Sequence, residues 1–183
     1  MERFKCGSIV LLNNDNGNFL SKAIRFFTDS TISHTDFTMG EIVKEESVLS
    51  AQALISVLPL VEYFYDEGFE FSVYEIEGVP EAVLEEWVTN MYLEYAGKVY
   101  GVLQLLWFIY RWAMKKIGVD VRSQRNWFPH SAVCSELVYD LMERVAKAYY
   151  HDLLCMLAQW NKDTVAPEDL KQVVEDFPDI FAL

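Results

Sequence analysis

Ser33-His34-Thr35-Asp36-Phe37-Thr38-Met39-Gly40 leaves a polar loop and becomes an alternating strand, so it delivers a histidine where a strand begins. Its counterpart is His130-Ser131-Ala132-Val133-Cys134-Ser135-Glu136-Leu137, which opens a helix. A thiol near a helix N-terminus has its thiolate favoured by the helix dipole and by backbone N–H groups that lack an intrahelical partner. A histidine arriving from another element can complete an ion pair with that thiol and carry its proton. The two stretches imply a strand and a helix brought together, histidine first in the chain and cysteine last. That is the machinery of a cysteine hydrolase or acyltransferase.

Working outward, residues 7–12 read as a short buried strand, 13–18 as a turn-rich loop, and 19–27 as a helix with Leu20, Ala23, Ile24 and Phe27 on one face. Residues 41–47 form a charged turn, the tip of a hairpin whose second strand is 48–53. Residues 69–76 alternate, with Phe69, Phe71 and Val73 against Glu70 and Ser72. Pro80 opens a helix of about fifteen residues, with Glu81, Glu85 and Glu86 early in it, and Gly97 closes it. A very apolar segment, 99–116, ends in basic residues; a third helix, 131–149, holds Cys134; Pro167 starts a short last one. No repeat, low-complexity tract or linker interrupts the chain. The expected fold is α+β, a small antiparallel sheet packed against helices, in a single domain over residues 1–183.

The chain has 183 residues, 52% of them hydrophobic, which suits a real core and argues against disorder. Its net charge of −13 repels nucleic acid and anionic membranes, so neither a nucleic-acid partner nor polybasic lipid targeting is expected. Cys6, Cys134 and Cys155 are odd in number and irregularly spaced, which makes neither a disulfide framework nor a zinc motif. Three dispersed histidines, His34, His130 and His151, add no metal-ligand spacing, so neither metal nor organic cofactor is expected. The apolar run Ile9–Leu12 is too short for a signal sequence, so a cytoplasmic protein is the expectation, a removed leader aside.

Three blocks, taken in order, resemble a known family. Cys6-Gly7-Ser8-Ile9-Val10-Leu11-Leu12, the segment Phe19 to His34 (FLSKAIRFFTDSTISH), and Val133-Cys134-Ser135-Glu136-Leu137-Val138 are similar to motifs of the circularly permuted papain-like cysteine peptidases and amidases of the NlpC superfamily, in the YiiX/YebB-like branch. Fainter echoes are Ser50-Ala51 before Val57-Leu58-Pro59-Leu60, Lys98-Val99-Tyr100, and Ala166-Pro167-Glu168-Asp169-Leu170. Lecithin–retinol acyltransferases are distant relatives of that group. The resemblance implies a papain-like core, with Cys134 as nucleophile and His34 as general base. It also implies a third polar residue where this chain has Ser50, with Gln52 two residues on and on the same strand face. Gln52 has the longer reach and is preferred; both are neutral, and a neutral group fixes the imidazole tautomer without the stabilisation a carboxylate gives. Ser8 stands where the opening block usually has an acid.

Plainer readings compete. A lone buried cysteine in a helix more often packs than reacts, so Cys155 is read as a core cysteine and Cys6 as structural. His130 lies four residues before Cys134, but a residue outside a helix start points to solvent or caps it. Proton transfer needs a partner on a rigid element, which favours His34. The segment Val99 to Tyr110 predicts a helix covered by the same domain; Arg111, Lys115 and Lys116 cut it short of the ~20 apolar residues a bilayer span needs, so stable membrane insertion is not expected. The alternative is a lipid- or acyl-facing helix with Trp107 and Trp112 at an interface. The expected activity is hydrolysis of an amide in a peptide, isopeptide or cell-wall peptide. The rivals are acyl transfer or lipid hydrolysis with the same thiol, and a non-catalytic binding module on a degenerate scaffold. The substrate is thus peptide-like or acyl, and the oligomeric state is left open.

Overall fold

A computed structural model describes residues 4–13, 19–40, 47–51, 55–59, 70–98, 104–121, 124 and 133–183. The elements are β1 (Ile9–Asn13), α1 (Phe19–Thr28), β2 (His34–Thr38), β3 (Ser47–Ala51), β4 (Ile55–Pro59), β5 (Glu70–Ile76), α2 (Glu81–Tyr95), α3 (Gln104–Lys116), α4 (Cys134–Tyr149), α5 (His151–Leu157), α6 (Pro167–Asp176) and β6 (Phe181–Ala182). The fold is α+β, as expected. Its strands form one antiparallel sheet in the order β4-β3-β2-β1-β5-β6.

β1 lies inside the sheet, between β2 and β5. Ile9 and Leu11 enter the main core with Phe37 and Leu49, while Val10 and Leu12 pack with Val48 on the opposite face. A strand buried on both faces reads as a continuous apolar run, which is why 7–12 does not alternate. The register sets Leu12 opposite His34 and Val10 opposite Asp36. β3 pairs with β2 at Phe37 and Thr38. At the other end of β2 the backbone N–H of Thr35 reaches the sulfur of Cys134 instead.

α4 runs through the middle of the molecule. Every residue from Cys134 to Met142 is buried, so the helix is covered all round its first turns. It begins later than the sequence suggests. Val133 is extended, with φ −112° and ψ 163°, and Cys134 is the first helical residue. Ser131 and Ala132 lie outside the described residues.

Two strands escape the sequence reading. β4 ends in Pro59, a residue tolerated on an edge strand because it has no N–H to give a neighbour. β6 is two residues long and pairs Phe181 with Ile76. Cys155 is a correction: it is exposed on α5, not in the core. α5 is a separate short helix that buries Leu153 and Leu157, and Cys155 falls on its outer side. α3 is also less covered than expected. Trp107 and Phe108 are buried against Ala166 and Phe27, but Leu106 and Ile109 on the other side are exposed. Among the described residues no helix is long and apolar enough to cross a membrane.

Candidate functional site

The loop that delivers His34 is tied down at three points. Thr28 Oγ1 donates to the Ile24 carbonyl at 2.8 Å, closing α1. Ser30 Oγ accepts from the Ile32 N–H at 2.7 Å and donates to Glu168 Oε2 at 2.6 Å. The Ser33 N–H then donates to the Leu12 carbonyl at 2.9 Å, which starts the β1–β2 pairing. His34 enters the strand with its position fixed by short polar side chains, the residue types that favour such turns.

Cys134 is fixed from the helix side. Ser135 Oγ donates to the Val165 carbonyl at 2.6 Å, which anchors the first turn of α4 to the segment before α6. That segment is itself held. Asp169 takes both guanidinium nitrogens of Arg111 at 2.6 and 2.7 Å and accepts the Ala166 N–H at 2.8 Å. The block Ala166-Pro167-Glu168-Asp169 therefore grips both halves of the site, Ser30 through Glu168 and Ser135 through its neighbour Val165.

Cys134 and His34 are brought into hydrogen-bond contact. Burial of the thiol opposes its ionisation, and so does the charge of Asp36. The charge of His34, its hydrogen bond and the Thr35 N–H outweigh both, and the thiol is held below its ordinary value. His34 Nε2 lies 3.0 Å from Asp36 Oδ1. Asp36 is fully buried and His34 is slightly exposed, so the ring is the wetter member of the pair.

Asp36 has no role in the sequence reading. The signal was present: a strand has a period of two, so His34 and Asp36 share a face. The family position falls instead at Ser50, with Gln52 two residues on. Ser50 lies in β3, its backbone paired with Ser56. Gln52 lies outside the described residues, as does His130. Ser8 is buried and structural: its hydroxyl donates to the Lys5 carbonyl at 2.8 Å and its N–H to Thr38 Oγ1 at 2.9 Å.

The other thiols differ. Burial, with Glu85 and Glu81 nearby, pushes Cys6 up to about 12, which makes it a poor nucleophile. Cys155 Sγ is 3.7 Å from His151 Nε2 on the surface of α5. Glu136, two residues into α4, is buried, and that burial together with Asp163 pushes its carboxyl up to about 7 against the pull of Lys162 and Lys98.

No family model matches the sequence, and no curated protein matches it. Among solved structures the fold is similar to that of the metalloprotein YiiX (DUF1105) from Escherichia coli O157:H7. The TM-score is 0.53 at 20% identity, over 78% of this chain and 67% of that one. The likeness shows an α+β fold like that of YiiX. Among the described residues no group of three or more His, Cys, Asp and Glu side chains could hold a metal ion.

Proposed function

We propose that the protein is a cysteine hydrolase that cleaves an amide, with Cys134 as nucleophile, His34 as general base and acid, and Asp36 orienting the imidazole. One observation carries this reading: a buried thiol at a helix start whose ionisation is favoured by a histidine that is itself backed by a carboxylate. With Nε2 on Asp36, the other ring nitrogen is left for the sulfur. The carboxylate holds the ring's orientation and stabilises the imidazolium.

The thiolate attacks the amide carbon and forms a C–S bond. The backbone N–H of Cys134, at the start of a helix whose N-cap makes no side-chain hydrogen bond, faces the developing oxyanion. The imidazolium gives its proton to the leaving nitrogen as the C–N bond breaks. Water, deprotonated by His34, then opens the thioester to the acid and restores the thiol. Peptides, isopeptides and cell-wall peptides all offer such a bond.

Asp36 also weakens the reading of a non-catalytic scaffold, whose motive was a neutral third residue. Acyl transfer or lipid hydrolysis by the same thiol draws support from the exposed apolar side of α3. A peptide bearing a C-terminal vinyl sulfone and a fatty-acyl electrophile of similar reactivity test the choice. The expected result is an adduct on Cys134 with the peptide probe, lost in His34→Ala. Preferential capture of the acyl probe on Cys134 would move the assignment to acyl chemistry. Modification of Cys155 alone by both would overturn it.

A further inference from the structure

α1 and α3 pack side by side, and their composition departs from that of the chain. The two helices, FLSKAIRFFT and QLLWFIYRWAMKK, hold five of the 15 lysines and arginines and none of the 28 acids. Arg111 turns inward to Asp169, and exposed Lys22, Lys115 and Lys116 give the pair a cationic outer side in a protein of net charge −13.

That face is also apolar on the outside. Leu106 is 50% exposed, Ile109 37% and Ile117 71%, and exposed Ala113 falls between them. Their spacing of three and four residues sets them on one side of the helix and its C-terminal turn. α1 extends the stripe sideways: Phe26 is 62% exposed, and its ring centroid lies 5.7 Å from that of Trp112. Lysines border the stripe. Lys116 Nζ sits 5.6 Å from the Trp112 ring, and exposed Lys115 is one residue away. Asp29 approaches both, at 3.4 and 3.7 Å, in pairs too exposed to neutralise them firmly.

We propose that the α1–α3 face docks the protein on an anionic lipid surface. Apolar side chains enter the acyl boundary, the Phe26–Trp112 pair lies at the interface, and the lysines reach the headgroups. Charge selects this occupant. A second copy using the same face would set cation against cation. An anionic surface complements the cations, while the acids elsewhere are screened beyond about 8 Å at physiological salt. α3, at 13 residues, is shorter than the ~20 a bilayer span requires, so the helix lies on the membrane. This docking is independent of the amide chemistry at Cys134.

Vesicle flotation of the full chain tests it, with phosphatidylcholine vesicles compared to vesicles of equal phosphatidylcholine and phosphatidylglycerol. The wild type is expected to float with the anionic vesicles and not with the neutral ones. Lys115→Glu with Lys116→Glu, and separately Phe26→Asp with Leu106→Asp, are each expected to lower the partition at least about tenfold. All four side chains are exposed, and unchanged circular dichroism confirms the fold. Equal flotation with neutral vesicles, no flotation with anionic ones, or binding that both variants retain overturns the proposal. So does a concentration-dependent dimer in sedimentation that Phe26→Asp disperses, since it assigns the face to self-association.

Discussion

Asp36 Oδ1 stands 3.0 Å from His34 Nε2, and the two residues are separated by a single position on β2. The proposed base and orienter thus share one strand, and their spacing is set by the pleat. Asp36→Asn keeps the shape of this buried side chain but removes the charge that stabilises the imidazolium. It should slow amide turnover by at least about 100-fold, and alkylation of Cys134 by less, because the same charge also opposes the thiolate. Mass spectrometry of the labelled protein measures the alkylation rate. Unaltered rates in both would show that the carboxylate is idle.

The thiolate of Cys134 depends on His34. With the thiol held low, iodoacetamide should label Cys134 at pH 6, where an ordinary thiol is almost wholly protonated. His34→Ala removes the favourable charge and leaves the burial cost, so labelling at pH 6 should fall by about 100-fold and recover only at alkaline pH. A Cys155→Ser background removes the exposed competitor. Equal profiles with and without His34 would mean the pair is uncoupled.

Glu136 makes stability depend on pH. Its folded value, about 7, lies above the ordinary carboxylate value of 4.5, so the native state binds the extra proton between them. Stability therefore falls as pH rises from about 4.5 to about 7 and then levels off, an effect on the order of 3 kcal/mol. Glu136→Gln should flatten that slope in urea denaturation. A slope retained in the variant would assign it to other groups.

Asp169 joins Arg111 to the start of α6. Removing it leaves a largely buried guanidinium without its counter-ion and the Ala166 N–H without an acceptor. Asp169→Ala should cost about 3 kcal/mol. Asp169→Asn should cost less, because it keeps an acceptor for the N–H. Equal losses would assign the stabilisation to the ion pair alone.

Much of the frame was readable because it is written in local periods. The alternation after His34 gave β2, Pro80 and Gly97 bracketed α2, and the apolar run after Gly7 gave β1. What escaped is non-local. β6 is too short to leave a pattern and exists because Ile76 offers Phe181 an edge. Cys155 looked apolar in company, yet a seven-residue helix buries only one side. In the site, the approach of Cys134 to His34 was legible from ordered motifs. Asp36 is legible from strand period alone, whereas the family position points to Ser50. The contacts from Glu168 and Val165 join residues far apart in sequence, and nothing local announces them.

Those two contacts make the last helix a remote tuning element. Glu168 steadies the loop before His34, and the Val165 carbonyl the turn that carries Cys134. The gap between the two reacting groups is thus governed from a third place in the chain. Changes at Ser30, Glu168 or the Val165 backbone can retune reactivity while every reacting atom stays the same. In a screen for altered activity, gains and losses should gather in residues 165–169 as well as around the thiol itself.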